Sequence, residues 1–256
     1  MGTLVKKVRN LTLNYLLPNG FYFSRNGYCP CCEKHVIFQS FNSWLRDFFL
    51  CSNCGSIPRE RALMLVIEKH CPKWKSLNIH ESSPSSRGAS LKLQKNAKNY
   101  IASQYYRDKP FGILVDNFQN QDLENQTFED ESFDIVVTQD VMEHIYNPAK
   151  AFAEIARTLK KGGAHIFTVP IINRHMPTEV WAIKGENNST IFLKTPEWHG
   201  NPVDPEGSPV TIHWGFDIVN FIQKSCNMES IIEYIDNIDY GIRAEFIEVI
   251  VSKKQK

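Results

Sequence analysis

The sequence predicts an α/β protein, a mostly parallel sheet covered by helices, joined at its N-terminal side to a small cysteine-rich module. Three observations predict it. Strand-length apolar runs alternate with helix-length segments from residue 57 onward. Five of the seven cysteines fall within residues 29–54. Charge is divided: residues 1–75 carry 11 Lys/Arg and 4 Asp/Glu, a balance of +7, whereas residues 76–256 carry 18 and 24, a balance of −6. Such a division sets a basic module against an acidic remainder and makes an anionic contact of the first third a reading to test.

The cysteines come first in the chain. Cys29-Pro30-Cys31-Cys32 and Cys51-Ser52-Asn53-Cys54 are two knuckles with eighteen residues between Cys32 and Cys51. Two C-x-x-C turns at that separation are the pattern of a four-thiolate zinc site, since each turn aims two sulfurs at one ion. Cys29, Cys32, Cys51 and Cys54 are the expected ligands, with Cys31 able to replace either neighbour in the first knuckle. Residues 36–50 are expected to fold as a hairpin that brings the knuckles together, with Phe38, Phe41, Trp44, Phe48 and Phe49 covering the site. Four thiolates leave no open position, so the zinc would be structural.

The elements beyond follow in order. Residues 57–70 form a helix opened by Pro58 and stopped by Cys71-Pro72. Residues 77–80 are a short strand, residues 84–92 run from loop into helix, and residues 100–103 are a second strand. Residues 133–138 are β-branched and strand-like; residues 148–159 are an amphipathic helix, with Gly162 and Gly163 as its C-cap. A strand over 164–170, a helix over about 216–226 with Asp217 in its first turn, and strands over 230–234 and 244–251 complete the chain. Residues 171–213 show little periodicity but carry Trp181, Trp198, His199 and His213, which marks them as a lid or substrate wall. In parallel sheets ligands sit beyond the carboxyl ends of the strands, so residues 80–86, 103–105, 139–144 and 170 onward are where a site is expected.

Composition excludes several classes. The net charge is +1, apolar residues are 42% and charged residues 22%, which fits a globular chain and neither a disordered one nor a polyanion binder basic throughout. The longest apolar run, residues 62–67, is far too short to span a bilayer. Asn14 and Pro18 break the segment after Lys6, Lys7 and Arg9, and Lys6 stands where a myristoylation signal needs Ser or Thr. A cytoplasmic location is therefore expected.

The run from Phe133 through Gln139, Asp140, Val141, Met142, Glu143 and His144 resembles the strand-four signature of class I S-adenosylmethionine-dependent methyltransferases, of the type-11 kind. Leu159-Lys160-Lys161-Gly162-Gly163 and the strand after it resemble that family's L-K-P-G-G turn, with Lys161 in place of the proline. The resemblance covers residues 76–170 best. It implies a Rossmann-like methyltransferase fold with a seven-stranded, mostly parallel sheet over residues 73–256, preceded by a zinc-ribbon-like module over residues 1–72. It also implies S-adenosylmethionine as cofactor beside the structural zinc. On this alignment Asn78 stands where an acid is usual, and His80 and Ser82 where glycines are; Glu81 is set to bond the cofactor's ammonium. Ser103 and Gln104 replace the ribose-binding acid, Asp122 matches the adenine contact, and Gln139 and Asp140 fall near the methionine portion.

Methyl transfer asks the protein to orient a nucleophile and exclude water. A hydroxyl acceptor also gains from a base, and His144, His199 and His213 are the candidates. Arg59 and Arg61 are candidate contacts to an anionic group. The acceptor expected first is a small molecule or glycan hydroxyl. RNA docked on the zinc module comes second, and a non-enzymatic interaction protein third, since the Gly-x-Gly loop is missing.

Overall fold

The structure, a computed structural model, describes residues 22–201 and 203–255. Lys6, Lys7, Arg9 and the segment after them, read above for a leader, lie outside the described residues.

Strands β1 (Phe23–Cys29) and β2 (Lys34–Ser40) form an antiparallel hairpin, and β3 (Leu50–Cys51) adds to the far side of β2, with Phe38 opposite Cys51. The first knuckle is the turn of the β1–β2 hairpin. The hairpin expected within residues 36–50 is thus only half of the module. Strand β1 escapes sequence reading because its FSRNGYC string lacks β-branched residues. Of the five aromatics expected over the cysteines, Phe38 and Phe49 are fully buried, whereas Phe41, Trp44 and Phe48 are exposed.

Helix α1 (Pro58–His70) leads into β4 (Asn78–Ser82), α2 (Gly88–Asn96), β5 (Asn99–Gln104), β6 (Leu114–Val115), β7 (Phe118–Asn120) and β8 (Phe133–Gln139). Helix α3 (Pro148–Thr158), β9 (Leu159–Thr168), α4 (Ile218–Cys226), β10 (Glu229–Glu233) and β11 (Val249–Lys253) follow. The eight-stranded sheet has the order β10-β11-β9-β8-β4-β5-β7-β6. Strand β11 is antiparallel to both neighbours, and β4, β5, β7, β8 and β9 are mutually parallel. Six strands answer those placed from the sequence, β7 brings the count to the seven that the resemblance implies, and the two-residue β6 adds an eighth, antiparallel to β7. The last strand begins at Val249, five residues after the expected start.

Gly162 and Gly163 do not cap α3, which ends at Thr158. They sit in a bulge of β9: Phe133 pairs with Leu159, but Ile135 pairs with Ala164. A Cβ on Gly163 would lie 3.0 Å from the Asp134 carbonyl oxygen, so the glycine lets the two backbones approach.

Period-2 alternation puts Ile79, Ile135, Val137 and Ile166 on one face of the sheet, against α1 and α2, and Val136 and Phe167 on the other, against α3 and α4. The first core continues into the N-terminal module through Cys29, Phe38 and Phe49, so one apolar interior crosses residue 72. Arg61, fully buried, reinforces that junction by donating to the carbonyls of Ser56, Phe49 and Gly241. Among the described residues no helix is long and apolar enough to cross a membrane.

Candidate active site

The chain runs from β4 to β5 and β7 on one side of the sheet and then crosses to β8 and β9 on the other. Adjacent strands β4 and β8 therefore open a crevice at their carboxyl ends, where parallel sheets bind ligands. A cleft of roughly 1260 Å³ lies there. Its walls come from three parts of the chain: the strand ends, the insertion between β9 and α4, and Arg46, Asp47 and Arg59 of the N-terminal segment. The insertion carries three short antiparallel pairings: Glu179–Val180 with Ile212–His213, Ala182–Lys184 with Thr190–Phe192, and Trp198–His199 with Ser208–Pro209.

At the end of β4, Ser83 takes a left-handed backbone with φ 54° and donates its N–H to the Ser103 carbonyl at 2.8 Å. Glycine adopts that conformation most readily. Glu81, two residues before it, is fully buried. Its Oε1 accepts from Ser90 Oγ at 2.6 Å and from Gln139 Nε2 at 2.8 Å, and its Oε2 accepts from Tyr100 at 2.8 Å. Burial pushes this carboxyl up despite those three donors.

At the end of β8, Asp140 also has a left-handed backbone, φ 51°. Burial alone would raise its carboxyl pKa, but Arg59 and Arg46 hold it down at about 2. Arg46 Nη2 donates to Oδ2 at 2.7 Å, Arg59 Nε lies 2.8 Å from the same oxygen, and Thr168 Oγ1 donates to Oδ1 at 3.0 Å.

Past β8, Glu143 turns its carboxylate inward, and burial pushes its carboxyl well above the usual range. The His144 and His199 rings meet edge-on beside it, with centroids 5.0 Å apart. Burial lowers His144 to about pKa 4, and its Nδ1 donates to the Pro209 carbonyl at 2.9 Å. His213 stacks on Trp181 with a centroid separation of 3.9 Å and meets Glu197 at 3.0 Å, outside the cleft lining.

The four-cysteine cluster lies in the N-terminal module. Cys29, Cys32, Cys51 and Cys54 bring their sulfurs within 4.8 Å of one another. Cys29 and Cys54 are 3.7 Å apart and Cys32 and Cys51 3.9 Å apart. A tetrahedral zinc with Zn–S near 2.3 Å requires about 3.8 Å between sulfurs, so this donor set fits the ion. Cys31 points away to the Glu60 carbonyl at 3.6 Å, and burial keeps its thiol protonated.

Residues 89–167 match the profile of a methyltransferase domain. The fold is that of the class I methyltransferases. No curated protein matches it. Among solved structures, an S-adenosylmethionine-dependent methyltransferase from Mesorhizobium loti superposes with a TM-score of 0.50 at 12% identity, covering 75% of this chain and 98% of that one. The 1,6-didemethyltoxoflavin-N1-methyltransferase of Burkholderia thailandensis gives 0.48 at 7% identity, covering 77% and 79%.

The methyltransferase fold sorts the expected cofactor residues. Ser82, Gln104, Asp122, Gln139 and Asp140 line the cleft. Gln139 is committed to Glu81 and Ser90, and Asp140 to its two arginines. Four expectations are corrected. Asn78 lies at the opposite, N-terminal end of β4, bonded to Ser132 and Asn99. His80 and Ser103 bond each other inside the sheet face at 2.8 Å, where the His80 ring meets Phe128 and Phe133. Glu81 is spent within the protein and cannot meet an ammonium. The alignment with the glycine loop therefore shifts by three residues: the acid ending the first strand is Glu81, and Ser83 stands at the first left-handed position.

Sequence reasoning missed Arg46, Glu143 and Glu197 as parts of the site. Only the adjacency of Glu143 to His144 signalled any of them. Arg59 faces the cleft as a candidate anion contact would, but Asp140 and Asp47 occupy it. Arg61 is a structural cation in the module junction, and Asp217 precedes α4, accepting from Thr178.

Proposed function

We propose that this methyltransferase moves the methyl group of S-adenosylmethionine to a hydroxyl oxygen of a small, uncharged acceptor of the glycan type, and that the four thiolates hold a structural zinc. The sign of the cleft lining carries the acceptor reading: eight Asp/Glu stand against five Lys/Arg, a poor field for a phosphate backbone. The module's basic surplus is also partly neutralised, since Arg46 and Arg59 pair with Asp47 and Asp140, Arg25 with Asp239 and Lys69 with Glu233.

The cofactor supplies a methyl group already activated on a sulfonium sulfur. In our reading Ser82 and Ser83 hold its carboxylate end, Gln104 its ribose hydroxyls and Asp122 its adenine amino group. The insertion walls the far side, so that water is excluded while the acceptor oxygen is aligned. His144 and His199 face the acceptor side. His213 is held by Trp181 and Glu197 as a support for that wall.

Calorimetric titration with S-adenosylhomocysteine tests the cofactor half. One-to-one binding, weakened about tenfold or more by Asp122→Ala, is expected; no heat at millimolar ligand overturns the reading. A screen of hydroxylated acceptors with methyl-labelled donor tests the other half, and label transfer to RNA alone would replace the small acceptor.

A further inference from the structure

We propose that Glu143, His144 and His199 bind one divalent first-row transition-metal ion in the cleft, where it holds and activates the acceptor oxygen. The ligand set stands on its own side chains; the role at the acceptor rests on the methyl-transfer reading above.

The Glu143 carboxylate carries the inference. Its side chain is only 3% exposed, yet neither oxygen has a hydrogen-bond partner. A buried carboxylate left bare is costly unless something meets it. Its Oε1 lies 3.8 Å from His144 Nε2 and 3.9 Å from His199 Nδ1. Both gaps are too wide for a hydrogen bond, while all three ligand atoms lie within 4.8 Å of one another.

The imidazole tautomers follow from the outer partners. His144 Nδ1 faces the Pro209 carbonyl, which only accepts, so Nδ1 carries the proton and Nε2 offers a lone pair toward Glu143. His199 Nε2 faces Glu197 Oε1 at 3.4 Å, so its proton is drawn there and the Nδ1 lone pair faces Glu143. Both imidazole lone pairs thus face the Glu143 carboxyl, and a cation taking the place of the carboxyl proton would have three electron-pair donors around it. A carbonyl behind one imidazole and a carboxylate behind the other is also how metal-binding histidines are oriented.

The dimensions permit it. Ligands about 2.1 Å from one ion stand roughly 3.0–3.6 Å apart, so the two gaps between Glu143 and the imidazoles, 3.8 and 3.9 Å, need close by only a few tenths of an ångström. Glu143 is already fixed: Thr211 donates to its carbonyl from N at 2.8 Å and from Oγ1 at 3.1 Å. Two imidazoles and one carboxylate favour a transition ion over magnesium or calcium. Three protein ligands leave positions open for a substrate oxygen, whose pKa the ion lowers.

The test titrates zinc-loaded full-length protein with MnCl2, following free Mn2+ by electron paramagnetic resonance. The hard manganese ion avoids the soft four-thiolate site. One Mn2+ per chain is expected, bound at least tenfold more weakly by Glu143→Gln and by His199→Ala. Near-ultraviolet circular dichroism checks that the variants fold, and the partly exposed His199→Ala serves if Glu143→Gln does not. No stoichiometric binding, or equal binding by folded variants, overturns the site. A parallel S-adenosylhomocysteine titration separates the two readings: manganese bound without S-adenosylhomocysteine binding leaves the metal site standing and removes the methyl-transfer role.

Discussion

Arg46 Nη2 lies 2.7 Å from Asp140 Oδ2, joining residues 94 positions apart. The bond ties the N-terminal segment to the carboxyl end of β8, and Arg59 doubles it at 2.8 Å. The segment expected to be a separate module thus forms part of the wall of the cleft.

Asp140→Asn should leave two largely buried guanidinium groups sharing only Asp47. Breaking such a pair costs about 3 kcal/mol, measurable as a lower urea midpoint at pH 7. The Asp140 carboxyl is held at about pKa 2, below its ordinary value. Its contribution is therefore present above about pH 4 and fades as pH falls toward 2; Asp140→Asn should flatten that limb.

If the four cysteines hold zinc as proposed, adding a chelator, or replacing Cys51 with Ser, should lower the melting temperature of the entire chain. The reason is the shared interior: Cys29 and Phe38 belong to the same cluster as Ile79 and Val249. Scanning calorimetry with metal analysis checks this. A separate low-temperature transition, with the main one unmoved, would show the module to be independent.

Ser83→Gly should keep both fold and S-adenosylhomocysteine affinity, because glycine suits φ 54°. Ser83→Val should cost about 1–2 kcal/mol, since a side chain branched at Cβ fits the left-handed region poorly. It should also weaken binding, as the loop at the end of β4 shifts. Denaturation and calorimetry on the two variants decide it.

His80 and His165 are both fully buried, and burial depresses each to about pKa 3. Unfolded histidine titrates near 6.5, so between pH 6.5 and 3 the unfolded chain binds the extra proton and stability falls as pH falls. At pH 5.5 each costs about 1.4 kcal/mol relative to pH 7.5. His165→Gln keeps a polar group toward Thr138 and removes one proton, so the wild-type-minus-variant stability should change by that amount between these pH values.

Gly27→Ala should unseat β1. An added methyl there would run into the Asp239 backbone carbonyl, in the turn on which β1 packs. Overpacking of this kind costs about 1–3 kcal/mol, readable as a melting shift.

The elements legible in the sequence are those whose signal is local. The β-branched run of β8, the amphipathic α3 and the two knuckles each carry a short-range pattern. Strand β1 and the paired segments between β9 and α4 were not legible as strands. They are short, polar or glycine-bearing, and become strands only once the chain turns back and pairs them. Gly162-Gly163 looked like a helix stop because that is the local habit of glycine. The neighbouring strand decided otherwise, demanding backbone space at Asp134. Glu81 looked available because sequence shows no partners; Ser90, Tyr100 and Gln139 reach it from three other elements.

By itself, the sequence determined the alternation of strands and helices, the two motifs that resemble the methyltransferase family and the spacing of four cysteines. Each is carried by short local patterns along the chain. The tertiary structure alone decided which polar groups are spent and which are left bare. Asp140 is matched by Arg46 and Arg59, whereas Glu143, three residues on, has no hydrogen-bond partner. Whether a buried charge is satisfied depends on groups brought within about 3 Å by the fold, and their distance along the chain says nothing of that.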